Sequence, residues 1–188
     1  MNEMLAENVK ILGPLSIVII WLGLAFLVYK WPGKLDMSLS RHAAQTKRAS
    51  VYYALLLMPA VTVFYIFMTK WFMPTFQLPM IAQYILATGV LGQYVACLVP
   101  DTKGMASKIH QVGGYTMSVT LGVMLGFIIF ASRVSTTARW IDIFIVAIMV
   151  YLYGLFLFVP KARQRFLIYQ SLYVALFHVA ILVATYIR

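Results

Sequence analysis

Six apolar runs, each around 20 residues and separated by short polar segments, organise the chain. They cover about residues 11–29, 51–72, 80–99, 112–131, 140–159 and 166–187. Each is long enough to cross a hydrocarbon core of about 30 Å as an α-helix, and none shows the alternation of a barrel strand. The pattern predicts an all-α polytopic membrane protein: one compact six-transmembrane-helix bundle occupying residues 1–188 as a single domain. Helix breakers stand where the runs stop. Trp31-Pro32-Gly33 closes the first, Pro74 and Pro79 bracket the turn after the second, Pro100 closes the third and Pro160 the fifth. Pro59 predicts a bend within the second run, and the segment from about Ser40 predicts a short interfacial helix.

Within the fourth run, Gly114, Ser118, Gly122 and Gly126 recur at four-residue intervals. At 3.6 residues per turn such positions drift by only about 40° per step and make a stripe without bulky side chains. Between helices in lipid, where apolar burial gives little net drive, such stripes permit close van der Waals contact. The stripe predicts that the fourth helix is the packing centre of the bundle.

Composition excludes a soluble domain: 63% of the 188 residues are hydrophobic and 11% charged, against about 45–50% and 25% in soluble proteins. The single cysteine, Cys97, lies inside an apolar run, so neither a disulfide framework nor a cysteine metal cluster is expected. Glu3, Glu7 and Lys10 do not make the basic leader of a secretory signal, so the first run is expected to be retained as a helix.

The net charge of +10 is unevenly placed. Ten of the fifteen lysines and arginines fall in the first, third and fifth loops, which predicts those loops in the cytoplasm and both termini extracytoplasmic, in a multi-pass cell (inner) membrane protein. Such loops attract anionic headgroups by roughly 1 kcal/mol per basic residue near the surface. Because every basic residue sits beside a span, membrane lipid rather than nucleic acid is the expected partner, with a homo-oligomer or a larger membrane complex as further partners.

The candidate chemistry gathers in two loops on the same side, Asp36 to His42 and Asp101 to His110. Imidazole and carboxylate are divalent-metal ligands and also acid–base groups near neutral pH. His42, His110 and Asp101 form the candidate metal set, and Asp36, Ser38, His42, Asp101 and His110 the candidate catalytic set. Neither spacing matches an established metal signature such as HExxH. Ser38 and Ser40 are candidate nucleophiles or helix caps.

His178 stands deep in the sixth run, where an ionisable group is costly and tends to face a polar partner in the bundle interior. Gln83 and Gln93 join it as candidate ligand-binding residues, with Tyr65 and Ser118 as further partners. A bis-histidine haem is not expected, since His42 and His110 fall at helix ends and His178 does not. Asp142, in the first turns of the fifth run beside Arg139, is expected to complement the helix dipole.

The combination of Trp31-Pro32-Gly33 with Asp36, Ser38 and Ser40, and of Val99-Pro100-Asp101 with His110-Gln111-Val112-Gly113-Gly114, resembles a group of bacterial six-helix membrane proteins. That group is a domain-of-unknown-function family, distantly similar to the damage-regulated autophagy modulator membrane proteins. The resemblance implies a six-helix bundle and no established reaction, and it implies a first loop facing outward, opposite to the charge count. The reading preferred overall is a non-enzymatic protein that binds or senses a lipid or other hydrophobic ligand, or supports a membrane complex. The alternative is a metal-dependent membrane hydrolase acting on lipid, with a divalent metal as cofactor; a small proton-coupled transporter is third.

Overall fold

A computed structural model of the protein describes residues 3–187, with side chains from residue 7 onward. Among them all regular structure is helical, and six helices are long and apolar enough to cross a membrane. The all-α six-helix arrangement is therefore what the chain forms. The long helices are α1 (Glu3–Lys30), α3 (Lys47–Phe67), α5 (Met80–Leu98), α6 (Gly104–Phe130), α7 (Thr136–Phe158) and α9 (Phe166–Tyr186). The short ones are α2 (Leu39–Ala43), α4 (Met73–Phe76) and α8 (Pro160–Arg163).

Local chemistry sets several of the starts. Ser38, Thr46 and Ser135 each accept a hydrogen bond from a first-turn backbone N–H, of Arg41, Ala49 and Ala138 respectively, which supplies partners that a helix N-terminus lacks. Pro59 is accommodated inside α3. The departure from α geometry falls instead at Met68–Phe72, one π-type segment that joins α3 to α4. It lies immediately before Pro74, whose missing N–H and bulky ring break the ordinary i→i−4 ladder.

The fourth run extends further than its apolarity indicated, because α6 begins at Gly104 rather than near residue 112. Ser107, Lys108, His110 and Gln111 are helical, so the helix projects two turns beyond its apolar stretch. Hydropathy marks the part of a helix that suits lipid, not the point where the helix starts.

Two cores fill the bundle. One joins α1, α2, α3 and α5 through residues such as Leu27, Leu39, Ala49, Leu57 and Cys97. The other, rich in aromatic rings, gathers Phe64, Phe67, Phe72 and Phe76 with Met124, Ile128, Met149, Phe177 and Ile181 from α6, α7 and α9.

The closest helix pair is α5 with α6, and its seam differs from the expected one. A Cβ on Gly92 would lie 2.7 Å from the Gly113 carbonyl oxygen, and one on Gly113 would lie 2.6 Å from the Gly92 carbonyl oxygen. Backbone meets backbone there. Along α6 the seam continues through Thr116 and Thr120, which face Gly92 and Gly89.

The stripe of Gly114, Ser118, Gly122 and Gly126 is therefore not the packing seam. A Cβ at Gly114 or Gly126 would meet nothing within 4 Å, and one at Gly122 only the Tyr173 hydroxyl at 3.6 Å. The physical reason is rotational register. Gly113 and Gly114 are about 100° apart on the helix, so a neighbouring small residue can hold the contact while the regularly spaced stripe is turned away from it.

Candidate functional site

Three of the four stripe residues, Gly114, Ser118 and Gly122, line a cleft between α6 on one side and α7 and α9 on the other. Helix α6 meets α7 and α9 far less than it meets α5. The cleft has a polar mouth of about 330 Å³, where Asp36, Ser38, Ser40, Arg41, Asp101, His110, Arg163 and Gln170 converge. It narrows to about 90 Å³ past Ser118, Tyr153 and Tyr173. A third section of about 200 Å³ follows between Val119 and Gly122 on α6 and Val146 and Val150 on α7. Ser118 lines all three sections, and the Tyr173 hydroxyl, donating to the Ser118 carbonyl at 3.0 Å, ties α9 to α6 across the passage.

The mouth is roofed by the first loop. The Leu167 N–H donates to the Leu35 carbonyl at 3.0 Å, and the Leu39 N–H donates to Gln170 Oε1 at 3.0 Å, fastening the loop to α9. On its other flank Arg41 Nε donates to Asp101 Oδ2 at 2.8 Å, linking first and third loops. Asp101 Oδ1 also accepts from the Ser107 hydroxyl at 2.6 Å, so both its oxygens are engaged. Ser38 and Ser40 hydroxyls bond one another at 2.9 Å. Arg163, from α8, donates through Nε and Nη2 to the carbonyls of Phe156 and Leu157, capping the last turn of α7.

His110 lies 2.8 Å through Nδ1 from the Val99 carbonyl oxygen, an acceptor only. Nδ1 must therefore carry a proton, and Nε2, an acceptor in the neutral ring, is the nitrogen without a protein partner at the cleft that the residue lines.

Of the candidate catalytic residues, Asp36, Ser38, Asp101 and His110 share this cleft, whereas His42 does not. The His42 ring is fully buried, with Nδ1 2.9 Å from the Ser38 carbonyl and Nε2 without a partner beneath Gly33. The metal set of His42, His110 and Asp101 is thus not assembled. Helix α2 turns His42 inward, while His110 rises from α6 and Asp101 is committed to Arg41 and Ser107. Among the described residues no three His, Cys, Asp or Glu side chains are grouped as a ligand set.

The ligand-binding candidates around His178 separate as well. His178 is buried and accepts at Nδ1 from the Trp21 indole N–H at 3.1 Å, with Phe64 edge-on at a centroid distance of 5.6 Å. Gln93 donates to Cys97 Sγ at 3.2 Å in the other core, and Gln83 faces outward from α5. His178 therefore ties α9 to α1 through an indole rather than through either glutamine. Asp142 also differs from expectation: it is fully buried, and neither carboxylate oxygen has a partner. Arg139 turns away from it, donating through Nη2 to the carbonyls of Ala131 and Val134.

Sequence reasoning missed Arg41, Arg163, Gln170, Tyr153 and Tyr173 as cleft residues. One signal was present for Gln170, the only amide side chain inside the sixth run, since polar groups within spans tend to face the bundle.

Fold and cleft together define a multi-pass integral membrane protein. No family model matches the chain, and no match emerges among curated proteins or solved structures.

Proposed function

We propose that the protein is a non-enzymatic lipid-binding or lipid-sensing membrane protein and that its ligand occupies the cleft between α6, α7 and α9. The observation that carries this reading is the polarity gradient over three adjoining cavities that share Ser118 in their linings. Charged and hydroxyl groups stand at the helix ends, at headgroup depth, and aromatic and aliphatic groups follow toward the middle of the bundle. The section lined by Val119 and Val150 is also open sideways, since both are exposed on the outer face of the bundle. A chain can therefore enter from the bilayer without leaving hydrocarbon. The absence of side chains at Gly114 and Gly122 makes room for it, and filling such a groove recovers dispersion contacts that a void forfeits.

The hydrolase reading has less support. Its polar residues share the mouth, but the Ser38 hydroxyl is bonded to Ser40 and not to His110, and a nucleophile needs a base within hydrogen-bond reach. The transporter reading relied on His178 with Gln83 and Gln93, which do not meet.

A phospholipid carrying a photoactivatable group in its acyl chain tests the proposal. In reconstituted protein, crosslinks are expected to concentrate on peptides containing Ser118–Gly122, Val146–Tyr153 and Tyr173. Labelling spread evenly over outward residues such as Leu22, Leu55 and Leu91 would mean that only annular lipid is held.

A further inference from the structure

The chain as a whole carries +10 and would be expected to prefer anionic lipid. The mouth of the cleft does not share that bias. Its charged lining consists of Asp36, Asp101, Arg41 and Arg163, two of each sign, and its one imidazole, His110, has Nε2 free of protein partners, an acceptor in the neutral ring. Arg41 and Asp101 neutralise one another directly. That leaves Arg163 and Asp36 as the mouth's charges without an oppositely charged side-chain partner among the described residues. Arg163 uses Nε and Nη2 on the carbonyls of α7 and retains Nη1, while Asp36 is exposed and makes no side-chain hydrogen bond among the described residues.

A free cation and a free anion in one mouth complement a zwitterion better than a net anion, because an anionic headgroup would meet Asp36 without compensation. The cationic part of the ligand can be specified further. Asp36 and His110 Nε2 are hydrogen-bond acceptors, which an ammonium with N–H groups satisfies and a quaternary ammonium does not. A quaternary ammonium is recognised instead by open aromatic faces. Here Phe156 and Phe166 stack on one another at 4.7 Å with the Arg163 guanidinium 6.0 Å from the Phe156 ring, which leaves Tyr115 as a single open ring rather than a cage of several.

Resting on the lipid-binding reading above, we propose that the cleft selects a zwitterionic phospholipid whose headgroup pairs a phosphate with a primary ammonium, the phosphate toward Arg163 and the ammonium toward Asp36 and His110. Competition in native mass spectrometry tests it, with phosphatidylethanolamine, phosphatidylglycerol and phosphatidylcholine of identical acyl chains at equal concentration. The ethanolamine lipid is expected to be favoured over both others by about two- to fivefold, the selectivity one partly exposed ion pair supplies. Asp36→Asn, at an exposed position without hydrogen bonds to lose, should abolish that preference while total bound lipid persists.

Phosphatidylglycerol bound as well as or better than phosphatidylethanolamine would overturn the charge-balance argument. Phosphatidylcholine bound equally well, or an ethanolamine preference unchanged in Asp36→Asn, would overturn the ammonium assignment. In each of those cases the cleft would still hold lipid; binding of none of the three would instead remove the lipid-binding reading itself.

Discussion

Asp142 is the residue whose surroundings fit its chemistry least. A buried polar group without a partner costs about 1–3 kcal/mol, and more when it carries charge. Both Asp142 oxygens are in that position, and the nearby Arg139 Nε is buried without a partner as well. Asp142→Asn keeps the shape and removes any charge, so its melting temperature in detergent is expected to equal or exceed that of the parent. A marked fall would show that the carboxylate has a partner in the folded protein. At this scale the sequence was legible for depth and illegible for pairing. His178 stands inside its run, as expected, yet its partner is Trp21, 157 positions away. Glutamine, tyrosine and serine were obvious polar partners, whereas an indole reads first as an apolar ring. Asp142 was similar: its place beside Arg139 near a helix start suggested a dipole effect, but the side chain is fully buried and the guanidinium goes to the carbonyls of Ala131 and Val134.

Helix existence was read correctly from apolar length, because crossing hydrocarbon demands about 20 such residues whatever the tertiary contacts. Helix register was not, because two small-residue faces one position apart compete for the same neighbour. Gly114, Ser118, Gly122 and Gly126 make the more regular row, but the seam of α5 and α6 uses Gly113 with Gly92. The choice depends on residues of the opposing helix, where Gly89, Gly92 and Ala96 alternate three- and four-residue steps. This assigns opposite costs to two similar changes. Gly113→Leu drives a side chain into backbone and is expected to destabilise by about 1–3 kcal/mol or more. Gly122→Leu enters a groove whose nearest occupant is a hydroxyl at 3.6 Å and should cost much less. Thermal unfolding of both variants in the same detergent checks the difference; equal losses would place both glycines in tight seams.

For the molecule as a whole, the contacts sort the loops into two ends. The first and third loops meet at one end through Arg41–Asp101, and the first loop reaches the start of α9, next to the fifth loop, through Leu35–Leu167. At the other, Ser135 donates to the Ile187 carbonyl, Ser132 bonds Gln77, and Lys10 lies over the rings of Trp71 and Tyr186 at 5.5 and 5.2 Å. The cleft mouth belongs to the more basic end. The charge asymmetry predicts that this end faces the cytoplasm: with Cys97 removed, cysteines at Lys34 and Lys103 should then resist impermeant thiol reagents in intact cells and one at Thr136 should label. The opposite pattern would put the cleft mouth outside, as the family resemblance implies. Topology was legible because six runs and their punctuating prolines are local features. The cleft was not, since it arises from what α6 does not touch.

Whether the cleft holds lipid is measured most directly by the lipid retained through purification by the parent protein and by Gly122→Trp, compared at matched thermal stability. An indole at position 122 would fill the groove between α6 and α7 without disturbing the Gly92–Gly113 seam. The parent is expected to retain bound phospholipid in native mass spectra, and Gly122→Trp, still folded, to retain markedly less. Equal retention by two equally stable proteins would contradict lipid binding in the cleft.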